Sequence, residues 1–256
     1  MAITIDFSGQ VALITGGTKG VGKGIAQRFA DAGAQVVVCA RSIPDDLPKD
    51  WAAYPADLRD ADQATALIDQ IVDRFGHLDI LVNNAGGSPP SDTSTGSANF
   101  AQKIVAVNLF SAMWCSQAAN SHMQNQPNGG SIVNIGSVSA ERPAPTVAAY
   151  GAAKAALANY TRTTGQEWLP KVRVNLVTVG MVRTELAHLH YGDEEGVRRT
   201  GAQIPIGRLA QPTEIGDVCV YLSSPMASYV SGASIEAHGG GDWPPFLDTP
   251  FRDTGK

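Results

Sequence analysis

Val11-Ala12-Leu13-Ile14-Thr15-Gly16-Gly17-Thr18-Lys19-Gly20-Val21-Gly22 joins a short apolar run to a cluster of glycines, and a helical pattern follows through Phe29-Ala30. The first five residues read as a buried strand. Glycines let the backbone turn tightly and let a pyrophosphate approach closely. The amino terminus of the next helix then offers free N–H groups and the positive end of its dipole. Glycine spacing alone is a weak signal. Its place directly after the first strand makes Gly16, Gly20 and Gly22, with Lys19 among them, a candidate dinucleotide cradle.

Outward from this unit, strand-like and helix-like segments alternate. Further strands are expected at Ala34–Ala40, Ala52–Tyr54, Asp79–Asn83, Ser131–Ile135, Val172–Val177 and Ala233–Ala237. Helical patterns fall between them, among them a long stretch from Asn99 to Met123, one from Ala148 to Trp168 and one around Thr213 to Leu222. The strands are short, apolar and rich in Val and Ile, as buried parallel strands are. The alternation predicts an α/β fold: a doubly wound sheet of seven parallel strands with helices on both faces, with residues 1–256 as a single domain. The rhythm breaks from Met181 to Leu209, beyond the end of the sixth strand, where ligands bind in such sheets. This loop carries Glu185, His188, His190 and Tyr191 and is expected to act as a substrate lid. The tail, residues 242 to 256, is apolar and proline-rich, suited to folding back or docking on a second subunit.

Apolar residues make up 43% of the chain and charged residues 17%, enough for a sizeable core. A net charge of −5 leaves no footprint for nucleic acid or an anionic membrane surface. Cys39, Cys115 and Cys219 are scattered through apolar patterns and are expected to be reduced core thiols. The two loop histidines lack further ligands at a useful spacing, so no metal is expected. No charged-then-apolar leader opens the chain and no apolar run reaches about 18 residues, which points to a cytoplasmic protein without a membrane span.

Ser137 follows the fifth strand, and Tyr150 and Lys154 are one helical turn apart on one helix face. A hydroxyl, a phenol and an ammonium can thus converge at the mouth of the sheet. A free Tyr, with a pKa of about 10, is a poor base near neutrality. A nearby Lys cation favours the phenolate and is expected to lower that value. The Ser hydroxyl can hold a substrate oxygen while a proton moves. At the end of the second strand, NAD-binding chains carry an acid for the ribose 2′-hydroxyl; this chain reads Cys39-Ala40-Arg41-Ser42. Arg41 can clamp a 2′-phosphate and Lys19 can add a second cation, so NADP(H) is the expected cofactor.

Together these residues resemble the short-chain dehydrogenase/reductase family, over nearly the whole chain from Gly9 to Gly241. The family's glycine motif matches Thr15, Gly16, Gly20 and Gly22, and its adenine-side Asp matches Asp57. Its Asn-Asn-Ala-Gly motif stands as Asn83-Asn84-Ala85-Gly86, its catalytic Asn as Asn108, and its Ser and Tyr-x-x-x-Lys as Ser137, Tyr150 and Lys154. The resemblance implies a Rossmann-type fold and cofactor contacts from Thr15, Asp57, Asn84, Ala85, Gly86, Val182 and Thr184. It implies that Tyr150 is the general acid in reduction and the base in oxidation. Lys154 would lower its pKa and bind the nicotinamide ribose, Ser137 would orient the carbonyl, and Asn108 would hold a proton-relaying water. Family members commonly form tetramers, so a homotetramer is expected, helped by close helix approach at the Ala-rich segment after Tyr150.

Two positions depart from the family pattern. Val179 stands where a proline usually precedes Gly180, which predicts a somewhat looser nicotinamide pocket. His238 replaces an Asp before Gly239-Gly240, which bears on local contacts and not on chemistry. The expected activity is NADPH-dependent reduction of a ketone to a secondary alcohol, or the reverse oxidation. Similarity to the 3-oxoacyl-carrier-protein reductase branch leaves the small-molecule substrate open. An enoyl reductase is disfavoured, because that branch spaces its Tyr and Lys more widely. The competing reading is a catalytically silent NADP(H) sensor, which would need the cradle but not the intact trio.

Overall fold

The structure is a computed structural model that describes residues 4–185 and 187–242, without the side chains at positions 189 and 190. The expectations for His190 as a side chain and for the tail from 243 onward lie outside the described residues. Seven strands, β1 (Val11–Thr15), β2 (Gln35–Ala40), β3 (Ala52–Pro55), β4 (Ile80–Asn83), β5 (Gly130–Ile135), β6 (Val172–Val179) and β7 (Ser234–Ala237), form one parallel sheet. Their order is β3-β2-β1-β4-β5-β6-β7. The order reverses between β1 and β4, which opens a crevice beyond the carboxyl ends of those strands.

The helices are α1 (Gly20–Asp31), α2 (Ala61–Phe75), α3 (Ala98–Val105), α4 (Ser111–Met123), α5 (Ala148–Glu167), α6 (Ala187–Tyr191), α7 (Glu194–Gly201) and α8 (Pro212–Ser223). Both faces of the sheet are covered, which explains why the strands read as unbroken apolar runs. On one face Ala12 and Ile14 pack with Ile25 and Phe29 of α1 and Ile215, Cys219 and Leu222 of α8. On the other, Val11 and Leu13 meet Leu67, Ile68 and Ile71 of α2 and Cys115, Ala119 and Met123 of α4. Local chemistry sets the helix ends. The Asp60 side chain accepts the N–H groups of Asp62 and Gln63 at the start of α2, and Gly76 closes that helix at φ 84°.

Three details differ from the sequence expectation. The long stretch ending at Met123 is helical throughout, but a π-helical turn at Ala106–Phe110 separates α3 from α4. The loop from 181 to 209 contains two short helices, and Asp193 caps the second by accepting the Gly196 N–H at 2.9 Å. β6 runs two residues further than expected, so Val179 is a paired, buried strand residue in register with Ala237 and not part of a turn. The three cysteines are buried and free, and burial pushes the Cys39 thiol up to about 12. Among the described residues no helix is long and apolar enough to cross a membrane.

Candidate active site

β5 delivers Ser137 to the crevice and α5 presents Tyr150 and Lys154 beside it. The Ser137 Oγ accepts the Ser139 N–H at 3.2 Å, and the Ser137 hydroxyl faces the Tyr150 phenol closely enough to influence its proton. Lys154 is only 3% exposed; its Nζ donates to the Ile135 carbonyl at 2.8 Å and lies 5.8 Å from the centre of the Tyr150 ring. Burial pushes the Lys154 ammonium down to about 8. Burial also raises the Tyr150 phenol above its ordinary value, while the Ser137 hydroxyl pulls it the other way. This corrects one expectation. The trio converges, but the influences on the phenol are burial and Ser137, because Lys154 is itself desolvated and aimed at a backbone carbonyl.

Asn108 lies in the π-helical turn and is 1% exposed. Its Oδ1 accepts the Gly87 N–H at 2.8 Å, and its Nδ2 donates to the carbonyls of Gly87 and Ile104, both at 2.9 Å. The amide therefore pins the strand exit after β4. Gly86 packs against it so closely that a Cβ would lie 2.5 Å from Oδ1. Thr15 and Asn84 brace one another: the Thr15 hydroxyl accepts the N–H groups of Asn84 and Ala85, both at 2.9 Å, and Asn84 Nδ2 donates to the Thr15 carbonyl at 2.9 Å. Gly22 fits against this brace only because it has no side chain, since a Cβ would lie 2.3 Å from the Gly16 carbonyl oxygen.

The amino terminus of α1 has no acid in its first turn and no side-chain cap from Lys19. Its first N–H, on Gly20, donates to Glu185 Oε1 at 2.9 Å. Thr184 packs against Gly20, and Val182 is buried and bridged to Ala210. Beyond β2, Arg41 is exposed near Asp57. Arg59 holds Asp57 in a two-pronged grip, with Nε 2.8 Å from Oδ1, and with Arg41 keeps that carboxyl below its usual range. A helix end with no first-turn acid and the cations Lys19 and Arg41 nearby fit the phosphates of a dinucleotide.

A concavity of about 490 Å³ lies against α7 and does not include Ser137, Tyr150 or Lys154. Its guanidiniums are already paired, Arg183 with Glu194, Arg198 with Glu195 and Arg208 with Glu214, so it is not the chemical centre. Among the described residues no group of three or more His, Cys, Asp or Glu could hold a metal ion.

Residues 16–241 match the family model described as enoyl-(acyl carrier protein) reductase. The chain belongs to the short-chain dehydrogenase/reductase family. It is 34% identical to a 3alpha-hydroxysteroid dehydrogenase of Mediterraneibacter gnavus, covering 90% of this chain and 96% of that one. It is 33% identical to the 3-oxoacyl-[acyl-carrier-protein] reductase of Vibrio cholerae, covering 92% and 98%. The solved aldohexose dehydrogenase of Thermoplasma acidophilum superposes with a TM-score of 0.88 at 29% identity, covering 93% and 96%. The chain is thus an oxidoreductase of a family that uses nicotinamide cofactors, and its relatives' names span steroid, acyl and sugar chemistry.

Sequence reasoning missed two features. One is Arg59, whose only signal was its place two residues after Asp57. The other is a buried polar chain in which Asn83 Nδ2 donates to Asn134 Oδ1 at 2.8 Å and Asn134 Nδ2 donates to Thr161 Oγ1 at 2.9 Å. It ties β4 and β5 to α5 beneath the site.

Proposed function

We propose that this chain reduces a ketone to a secondary alcohol with NADP(H), or runs the reverse oxidation. The observation that carries the reading is the convergence of the Ser137 hydroxyl, the Tyr150 phenol and the buried Lys154 ammonium, which lies 5.8 Å from the centre of the phenol ring. When bound, the nicotinamide supplies or accepts the hydride. Tyr150 donates its phenolic proton to the substrate oxygen, and Ser137 holds that oxygen by a hydrogen bond. Lys154 would bind the nicotinamide ribose hydroxyls, and Asn108 holds Gly87 in place by accepting its N–H. Arg41 and Lys19, with no acid after β2, support NADP(H) over NAD(H). The segment 181–209 is the substrate wall in this reading, and the assembly is a homotetramer, which light scattering would test.

The test is NADPH oxidation, followed by near-ultraviolet absorbance, against 3-oxoacyl thioesters, steroid ketones, quinones, sugar carbonyls and enoyl thioesters. Turnover of one carbonyl class that vanishes in Tyr150→Phe supports the proposal. Turnover of enoyl thioesters alone would replace ketone reduction by reduction of a carbon–carbon double bond, the activity named by the family model. Tight NADPH binding with no turnover of any class would favour a sensor.

A further inference from the structure

The hydrogen bond from Gly20 to Glu185 joins residues 165 positions apart, at the helix end that the cofactor's pyrophosphate would need. α1 supplies no anion of its own there, so among the described residues the carboxylate bonded to its amino terminus is this distant one. The contact is built in from both sides. Just before Glu185, the Arg183 N–H donates to the Ala210 carbonyl at 2.8 Å, and the Ala210 N–H donates to the Met181 carbonyl at 3.0 Å. Ala210 leads into α8, which is fastened to α1 by the Arg28–Asp217 pair at 2.7 Å. Close packing of Gly24 on Pro212 adds to that attachment. Thr184 completes the arrangement by packing on Gly20 itself.

We propose that Glu185 is a tethered competitor for the cofactor: its carboxylate takes the Gly20 N–H and sets a negative charge where the pyrophosphate binds, so cofactor entry displaces it. This rests on the cradle being the cofactor site. A tethered group competes at an effective concentration of roughly millimolar order. The preference of a helix end for an anion is modest, so removing the competitor should tighten cofactor binding by about three- to tenfold.

The experiment titrates wild type, Glu185→Gln and Glu185→Ala with NADPH by fluorescence and records thermal melting of each with and without NADPH. Glu185→Gln keeps the size and an acceptor oxygen, which guards against loss of folding. The expected result is a lower Kd for NADPH in both variants, with unliganded melting unchanged or slightly lower and a larger NADPH-induced rise. Inorganic pyrophosphate alone should also bind Glu185→Gln more tightly than wild type, read as a larger rise in melting temperature at the same pyrophosphate concentration. An unchanged Kd would overturn the proposal and leave Glu185 as a helix cap. A raised Kd would overturn it by making Glu185 a cofactor contact. Wild type that binds neither NADPH nor NADH would overturn the cofactor-site reading as well, so the two failures are told apart.

Discussion

The two rims of the crevice are built in opposite ways. The rim that carries Ser137 and Lys154 is buried and cross-braced by the chain from Asn83 through Asn134 to Thr161. The rim from 181 to 209 is held at the surface, where the pairs Arg183–Glu194, Arg198–Glu195 and Arg208–Glu214 are largely solvated. Buried amides left without partners cost more than exposed ion pairs return. The first rim therefore keeps the fixed geometry that proton transfer needs. The second can change at little cost in stability, which suits a surface that selects substrates. The family relatives carry names from steroid, acyl and sugar chemistry on this one fold.

The sharpest test of the buried rim is Tyr150→Phe. Loss of the proton donor should lower kcat by about a thousandfold while NADPH affinity stays nearly constant. Retention of most of the activity would place the chemistry elsewhere.

Lys154 tests burial through pH. Its folded pKa is about 8 against 10.5 for the unfolded group, so between these values the unfolded chain holds the proton that the folded chain has released. Stability from this group therefore rises with pH across that window, by up to roughly 3 kcal/mol in total. Urea unfolding at several pH values should show this rise in wild type and not in Lys154→Met. Shared contributions, such as the buried thiols, cancel in the difference. Parallel curves would mean that Lys154 is not desolvated.

Asn134→Leu removes the acceptor for Asn83 and the donor to Thr161. A loss of about 2–3 kcal/mol in urea unfolding is expected, and a neutral result would show that the brace contributes nothing. Arg41→Ala is the intermediate case, an exposed residue that should still matter. It should raise the KM for NADPH about tenfold, the scale of a lost charge-assisted bond, and leave that for NADH nearly unchanged. On the exposed rim, Arg198→Ala should leave urea unfolding nearly unchanged, because its pair with Glu195 is open to solvent. A loss comparable to that of Asn134→Leu would erase the contrast between the rims.

Much of this was legible in the order of residues. The seven strands were readable because each is a short apolar run between turn signals, and their buried faces alternate as β1 shows at Val11, Ala12, Leu13 and Ile14. The trio was readable because a four-residue spacing on a helix is a local rule. The π-helical turn at Asn108 left no trace, since Ala106–Phe110 has ordinary helical composition. The two helices within 181–209 were hidden by short length, where periodicity carries little information.

By itself the sequence determined the layered α/β fold, the cradle after β1 and the identity of the catalytic candidates, because strand and helix periods and glycine turns are encoded within a few neighbouring residues. Tertiary structure alone decided that Lys154 faces the Ile135 carbonyl, that burial governs the Tyr150 phenol, that Asn83, Asn134 and Thr161 form one chain, and that Glu185 meets Gly20. Those facts depend on which distant segments pack together and on how much water they exclude, and neither is written in local spacing.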